Sequence, residues 1–312
     1  MKRDNVLIML STYNGEKYLR EQLNSLYNQT GVDIHILVRD DGSKDKTLDI
    51  LNEYSQKYGA ITILPSVNVG AAKSFHLLAY YAYQEMHKFD YYAFCDQDDV
   101  WQNQKLSYSC EALNNTKCKY KLFYGPATLV DKDLNLLGSS VKIINNLEAN
   151  IFSSSSLGCT QVFNWDLLEK FVSLHNYVVN ARNTDYIPLH DGWISLMAYS
   201  LAADVIIGDH PLIFYRQHSN NVVGMNESHV ERCLKRIMRF RKGLCPKSSK
   251  CRLIIETVGN CIPPSNYKLL SLCAFYKTNY KSRLKLAFYS KLYQYSLIDN
   301  IGLFFTIITG TF

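Results

Sequence analysis

The sequence lacks an apolar run long enough to cross a membrane. Its apolar stretches at residues 6–10 and 301–308 fall short of the roughly 20 residues that a transmembrane helix needs. Only five apolar residues follow the charged start before polar Ser11, which is too few for a secretory signal peptide. We therefore expect a cytoplasmic protein whose first strand lies close to the N-terminus.

Paired cysteines and two glycine-rich signatures are also missing. The nine cysteines are scattered between positions 95 and 273 without CxxC spacing, which argues against a disulfide framework and against a zinc site. No GxGxxG sequence follows the first apolar run, and no GxxxxGK[ST] sequence occurs. A nicotinamide-binding Rossmann domain and a P-loop nucleotidase are therefore poorly supported.

Acidic residues are scarce in the last part of the chain. Residues 226–312 hold 15 Lys and Arg against 4 Asp and Glu, whereas residues 1–225 hold 19 against 24. This asymmetry predicts a main domain over 1–225 and a basic extension over 226–312. Basic and apolar side chains are interleaved between 232 and 242, which predicts an amphipathic helix. Such a helix either binds an anionic membrane surface or packs on its own domain.

The first hundred residues alternate between strand-like and helix-like patterns. Apolar runs predict strands at 6–10, 34–38, 61–64 and 91–95, and apolar residues at helical spacing predict helices between them. This order predicts an α/β fold with a doubly wound, mainly parallel sheet and right-handed crossovers. Residues 120–220 show a mixed pattern that we expect to complete the sheet.

Polar sequences follow each of the four predicted strands. They are Ser-Thr-Tyr-Asn-Gly at 11–15, Asp-Asp-Gly-Ser at 40–43, Asn-Val-Gly at 68–70 and Asp-Gln-Asp-Asp at 96–99. Ligands of such sheets bind at the carboxyl ends of the strands, where these loops gather. The four sequences therefore predict one shared pocket.

The Asp-rich sequence at 96–99 is the strongest chemical signal. Mg²⁺ and Mn²⁺ prefer carboxylate, phosphate and water oxygens, and carboxylates one residue apart can serve such an ion beside a sugar nucleotide. The alternative is a helix N-cap by one of the last two carboxylates. The sequence at 40–43 also allows two interpretations. Asp41 either belongs to a plain turn or accepts a hydrogen bond from a nucleobase that also contacts Thr12 and Tyr13.

These sequences resemble those of family 2 glycosyltransferases of the GT-A fold. The resemblance covers residues 5–224. It is carried by the four loops, by the longer blocks at 68–75 and 94–101, and by the blocks at 158–160, 189–193 and 215–221. The order and spacing of these blocks make the resemblance specific. Within the family, the chain looks most like bacterial rhamnosyltransferase-type members that extend cell-surface polysaccharides.

The resemblance implies a role for each matching position. The implied nucleotide-sugar site consists of Thr12, Tyr13, Asn14, Glu16, Asp41, Asn68, Gly70, Asp96 and Arg216. The implied ligands of Mn²⁺ or Mg²⁺ are Asp98 and Asp96, with Asp98 first. His218 lies with Arg216 where a late loop closes on the diphosphate, and it would contact either the diphosphate or the metal ion. Asp191 matches the catalytic base. Gly192 stands where many relatives have a bulky residue, which leaves the acceptor preference open.

The implied activity is inverting transfer of a sugar, with rhamnose as one candidate. The donor would be a nucleoside-diphosphate sugar and the acceptor a hydroxyl of a lipid-linked saccharide. Residues 1–225 would form the catalytic domain, and residues 226–312 would associate with the inner face of the cell membrane. Nucleic acid is not an expected partner. Two rivals stay open: a sugar-nucleotide nucleotidylyltransferase, and a non-catalytic saccharide-binding scaffold of the same fold.

Several side chains have an internal role as their alternative. His190 is expected to be a structural residue rather than a ligand. Trp101, Trp165 and Trp193 would stack on sugars or pack internally. Asp191 would act as the base or merely cap the helix predicted to follow it, and these two roles differ in their kinetic consequences.

Overall fold

The computed structural model describes residues 3–138, 146–152, 157–181, 187–217, 247–289, 297–310 and 312. The strands are β1 (Asp4–Thr12), β2 (Val32–Asp40), β3 (Ile61–Pro65), β4 (Tyr91–Cys95), β5 (Val100–Trp101), β6 (Lys121–Tyr124), β7 (Thr128–Val130), β8 (Leu136–Gly138), β9 (Val162–Asn164), β10 (Asp204–Ile207) and β11 (Ile213–Arg216). The helices are α1 (Leu19–Tyr27), α2 (Thr47–Tyr58), α3 (Ala71–Glu85), α4 (Lys105–Asn114), α5 (Leu147–Phe152), α6 (Trp165–Val172), α7 (His175–Asn180), α8 (His190–Ser200), α9 (Lys247–Val258), α10 (Pro264–Ala274), α11 (Tyr280–Ala287) and α12 (Leu297–Ile308).

A seven-stranded sheet has the strand order β10-β6-β9-β4-β1-β2-β3. All neighbouring pairs are parallel except those of β9, which is antiparallel to β4 and to β6. Side chains of β1 alternate between two buried clusters, with Leu7 and Met9 in one and Val6 and Ile8 in the other. Both faces of β1 are therefore covered, which explains its continuous apolar run. The predicted doubly wound, mainly parallel sheet is confirmed.

A second sheet contains four strands in the order β5-β11-β7-β8. β11 is antiparallel to β5, with Ile213 opposite Trp101, and parallel to β7, with Phe214 opposite Thr128. The sequence does not predict this sheet, because strands of two to four residues carry no recognisable alternation. Its pairing brings the residues just after β4 next to the end of β11.

The C-terminal helices α9 to α11 contribute to the same buried cluster as α8. Cys251 and Leu270 belong to this cluster together with Trp193. The side-chain amide of Asn266 donates to the Tyr199 carbonyl over 3.0 Å, which fixes α10 against the end of α8. The predicted helical C-terminal part is confirmed for the residues described from 247 onward.

Two predictions concern a membrane: the absence of a spanning helix and a basic amphipathic helix over 232–242. None of the helices in the described ranges is long and apolar enough to span a bilayer. The basic stretch predicted to form an amphipathic helix over 232–242 lies outside the described residues, so the choice between membrane binding and packing on the domain stays a prediction.

Candidate active site

Buried side-chain hydrogen bonds hold the ends of β1 and β2 together. Thr12 Oγ1 donates to Asp40 Oδ1 over 2.9 Å, and both residues are buried. Asp40 also accepts from the Ser43 amide at 2.9 Å and from the Ser43 hydroxyl. Thr12 therefore belongs to the buried base of the loop cluster, where it fixes one loop against the next.

The loop after β1 is braced against the segment that leads into α2. Asn14 Oδ1 accepts from the Lys44 amide and Glu16 Oε2 from the Lys46 amide, both over 2.9 Å. Asn14 has a φ of +48°, a left-handed conformation that asparagine tolerates better than most residues. The side chain of Tyr13 stays 45% exposed between these contacts. The bracing leaves the Tyr13 ring at the surface, where a ligand can reach it.

Asp41 joins the end of β2 to the start of α3. Its carboxylate pairs with the Arg39 guanidinium and accepts the backbone amides of Val69 and Gly70 at 2.9 Å each. Arg39 and Asp41 are both buried, whereas Asn68 is exposed beside them. Asp41 thus shapes the wall of the loop cluster, and Asn68 is an accessible polar group at this junction.

Gln97 ties the loop after β1 to the Asp-rich loop after β4. Its side-chain amide accepts from the Tyr13 amide over 2.8 Å and donates to the Tyr13 carbonyl over 3.1 Å. A Cβ at Gly15 would lie 2.3 Å from Gln97 Oε1, so glycine leaves the room for this pairing. This role of Gln97 is not predictable from the sequence, because a glutamine between aspartates gives no sign of a partner 84 residues away.

The carboxylates of the Asp-rich loop lie close together. Oδ1 of the fully buried Asp99 accepts from the Arg216 amide over 3.0 Å. Asp99 Oδ2 has no hydrogen-bond partner among the described residues. Carboxylate oxygens of Asp96 and Asp99 and the Cys159 sulfur lie within 4.8 Å of one another. The loop thus crowds carboxyl groups into a partly enclosed place.

Burial and mutual repulsion make these carboxylates bind protons more readily than ordinary aspartates. Burial raises the pKa of Asp96 to about 7, and the charges of Asp98 and Asp191 add to the effect. The pKa of Asp99 is also raised, first by burial and then by the Asp98 and Asp96 charges. A divalent cation relieves such repulsion and prefers carboxylate ligands, so the loop residues fit such an ion. The carboxylates that the structure brings together are those of Asp96 and Asp99, and the role of Asp98 as a ligand stays a prediction.

Arg216 holds the Asp-rich loop from β11. Its Nε donates to the Asp98 carbonyl over 2.8 Å, and its other nitrogens bind the Lys132 carbonyl and the Glu21 carboxylate. The guanidinium carbon lies 4.4 Å from the centre of the Tyr18 ring. The Arg216 side chain is buried and engaged with protein groups, so its expected contact with a diphosphate stays a prediction.

Asp191 lies in the first turn of α8, two residues after the N-cap Leu189. Its Oδ1 accepts from the Gly192 amide over 2.6 Å, and its backbone carbonyl accepts from Gln161 Nε2 over 3.0 Å. Burial raises the pKa of Asp191, and the Gly192 hydrogen bond and the charge of Lys250 oppose this rise. Asp191 is therefore fixed in position and holds a proton more readily than an exposed aspartate.

The turn Gly158–Thr160 packs against both Asp191 and the Asp-rich loop at 96–99. A Cβ added at its first residue would lie 3.3 Å from the Asp191 Cβ, closer than side chains normally pack. Its second residue, Cys159, lies against Asp96 and Asp99. Asp191 and the Asp-rich loop thus lie against neighbouring residues of one short turn, although they are far apart in sequence.

Comparison with known proteins identifies the family of this chain. A model of glycosyl transferase family 2 matches residues 7–120. The dTDP-rhamnosyl transferase RfbG of Shigella flexneri is 35% identical over 230 residues, which make up 70% of this chain and 75% of the relative. The chain belongs to glycosyltransferase family 2. The expected resemblance to a rhamnosyltransferase-type member is also confirmed.

Solved structures of other glycosyltransferases share the fold of this family 2 chain. TarS of S. aureus (residues 1–349) aligns with a TM-score of 0.56 at 16% identity, covering 97% of this chain and 81% of that chain. The mannosyltransferase PcManGT from Pyrobaculum calidifontis aligns with a TM-score of 0.50 at 14% identity, covering 100% and 86%. At these identities the likeness concerns the fold, and it confirms the expected GT-A type architecture.

The structure decides between internal packing and ligand contact for His190, Trp101 and Trp193. His190 is buried and stacks on Phe75 with ring centroids 3.7 Å apart. Neither of its ring nitrogens has a hydrogen-bond partner within the described ranges, and burial lowers its pKa to about 3, as fits a structural residue. Trp101 and Trp193 are fully buried and pack internally. His218 lies outside the described residues.

Proposed function

We propose that this chain transfers a sugar from a nucleoside diphosphate to an acceptor hydroxyl with inversion at the anomeric carbon. The observation that supports this most is the meeting of Asp191 and the Asp-rich loop across the turn Gly158–Thr160. The Asp-rich loop can bind the diphosphate of the donor through a divalent ion, and Asp191 can take a proton from the acceptor hydroxyl. Similarity to a dTDP-rhamnosyl transferase makes dTDP-rhamnose the first donor to test.

The nucleoside of the donor would bind over the loops that follow β1, β2 and β3. The exposed Tyr13 ring offers a surface for base stacking, and Asn68 offers a polar partner. The loops are shaped by Thr12, Asn14, Glu16, Asp41 and Gly70. Structures of TarS and PcManGT contain UDP-GlcNAc and GDP-Man, respectively, which supports a nucleoside-diphosphate sugar as the donor.

Asp98 and Asp96 would hold a divalent ion, Mn²⁺ or Mg²⁺, with His218 as a further proposed ligand. The crowding of Asp96 against Asp99 in the same loop supports such an ion, and the PcManGT complex contains Mn²⁺. A divalent ion bound there would neutralise charge on the departing diphosphate. Arg216 supports this arrangement by holding the Asp98 carbonyl in place.

Asp191 would act as the general base. Its carboxylate takes the proton of the acceptor hydroxyl while the hydroxyl oxygen forms a bond to the anomeric carbon. The bond from that carbon to the diphosphate breaks, and the diphosphate leaves with the electron pair. Attack opposite the leaving group inverts the anomeric configuration. Gln161 and the Gly192 amide hold Asp191 in position for this step.

The acceptor we propose is a lipid-linked saccharide of a cell-surface polysaccharide pathway. Residues 1–225 would bind the donor and catalyse transfer, and residues 226–312 would bring the enzyme to the inner face of the cell membrane. The support is the excess of basic over acidic residues in 226–312 and the similarity to a rhamnosyl transferase.

Incubating the protein with Mn²⁺, an acceptor saccharide and a panel of nucleotide sugars led by dTDP-rhamnose tests the proposal. The readout is the release of nucleoside diphosphate. Asp98→Asn should abolish turnover and remove metal-enhanced binding of nucleoside diphosphate in calorimetric titrations, because it takes away a charged ligand. The exposed Asp133→Asn is the matched control. Unchanged metal dependence in Asp98→Asn would remove Asp98 from the site. Absence of release with every donor and acceptor would favour the non-catalytic scaffold.

A further inference from the structure

Helices α11 and α12 pack against each other near the end of the chain. The rings of Phe288 and Phe304 have centroids 5.5 Å apart, and Phe305 follows at 6.0 Å from Phe304. Arg283 donates to the Ile308 carbonyl over 3.4 Å, which links the first helix to the end of the second. Side chains from both helices therefore share one surface.

This surface exposes large apolar side chains to solvent. Phe288 is 67% exposed, Phe305 59% and Ile301 48%. Ile301 and Phe305 are four residues apart, so they lie on the same side of α12. The Phe288 ring contacts Phe304, the residue before Phe305 on α12. An apolar group of this kind on a protein surface marks a contact site for a partner.

Basic side chains border the apolar group. Lys281 and Lys285 are exposed and precede Phe288 by seven and three residues, so all three lie along one side of α11 and the turn that ends it. The surrounding sequence, residues 257–312, contains a single acidic residue, Asp299. Its basic residues are Lys268, Lys277, Lys281, Arg283, Lys285 and Lys291.

We propose that this face, formed by Lys281, Lys285, Phe288, Ile301 and Phe305, docks on an anionic lipid bilayer. Aromatic and aliphatic side chains enter the boundary between headgroups and acyl chains, and lysines beside them bind anionic headgroups. A second copy of this face would bring like charges together, whereas an anionic bilayer complements them. The inference deepens the proposed function, since a lipid-linked acceptor lies in the bilayer.

Sedimentation of the full-length protein with vesicles tests the proposal without any donor or acceptor, so its result does not depend on sugar transfer. We expect binding to phosphatidylcholine mixed with phosphatidylglycerol and weaker binding to phosphatidylcholine alone. Lys281→Gln with Lys285→Gln should weaken binding to the anionic vesicles about 25-fold, because each lysine contributes about fivefold. Phe288→Ser with Phe305→Ser should abolish vesicle binding.

Two control variants remove the same side-chain types elsewhere on the surface. They are Lys117→Gln with Lys119→Gln, and Leu136→Ser with Leu137→Ser, whose side chains are exposed. Unchanged circular dichroism of every variant confirms that the fold is kept. Failure of the wild type to bind anionic vesicles, or equal loss in the controls, would overturn the proposal. So would sedimentation velocity showing a dimer that the Phe288 and Phe305 substitutions dissociate while vesicle binding persists.

Discussion

At the scale of single residues, Gly15 decides whether Gln97 can join two loops of the site. A Cβ at position 15 would lie 2.3 Å from Gln97 Oε1, so Gly15→Ala should push the Gln97 side chain off the Tyr13 backbone. The loop that carries Tyr13 would then lose two hydrogen bonds. We expect about tenfold weaker binding of nucleoside diphosphate, measured by calorimetry.

A double-mutant cycle separates this contact from a general effect of alanine. Gln97→Ala alone should weaken binding to a similar degree. Gly15→Ala made in the Gln97→Ala background should add almost nothing, because the clashing atom is gone. Additive losses in the double variant would show that position 15 acts independently of Gln97.

The pH dependence of activity follows from the environment of Asp191. Burial raises the pKa of this carboxyl, and a general base works only when deprotonated. Activity should therefore fall as pH drops, and the midpoint of kcat/KM should lie above the ordinary aspartate value of about 4. Profiles measured at saturating divalent ion test this, and Asp191→Glu should move the midpoint. A midpoint at the ordinary value, or one unmoved by the substitution, contradicts the assignment.

At the scale of elements, strands β1 to β4 were predictable and the second sheet was not. The buried parallel strands are continuous apolar runs, and the predicted bounds lie within two residues of those observed. Their C-terminal loops had to meet because the topology brings them to one edge. The hydrogen bond from Arg216 to the Asp98 carbonyl joins residues 118 positions apart. It depends on strands that are too short to give a recognisable sequence pattern. Packing of the turn Gly158–Thr160 against Asp191 is equally invisible in the sequence.

Arg216 tests the role of the second sheet in shaping the Asp-rich loop. Arg216→Lys removes the planar fork that binds Asp98 and Glu21, and a lysine cannot reproduce it. We expect a loss of about 2 kcal/mol in unfolding free energy, kept modest because Glu21 is half exposed. Metal-enhanced binding of nucleoside diphosphate should weaken as well.

The surface pair of Arg20 and Glu53 supplies the control for that change. Both side chains are about half exposed, so Arg20→Lys should change the unfolding free energy, measured with urea, by less than about 1 kcal/mol. Equal effects of Arg216→Lys and Arg20→Lys, or intact metal-enhanced binding in Arg216→Lys, would contradict a role for β11 in the site.

At the scale of the whole molecule, the C-terminal helices share a buried cluster with α8. Leu270 is fully buried in that cluster, so Leu270→Ala should lower the unfolding free energy by about 2–5 kcal/mol. Thermal unfolding should stay a single transition, with its Tm lowered. Tyr280→Ala, at a position 62% exposed, should leave Tm nearly unchanged. Two transitions, with only one moved by Leu270→Ala, would show that residues 226–312 unfold as a separate domain.

The turnover of Asp191→Asn distinguishes a general base from a residue that only stabilises a helix. Asparagine keeps the side chain's shape and can still accept a hydrogen bond from the Gly192 amide, but it cannot take the proton of an acceptor hydroxyl. If Asp191 is the general base, kcat falls by about 10² to 10⁴-fold, with donor affinity and Tm little changed. Near-normal kcat in Asp191→Asn, with instability appearing only in Asp191→Ala, would show that Asp191 merely stabilises the start of α8 and is not the general base.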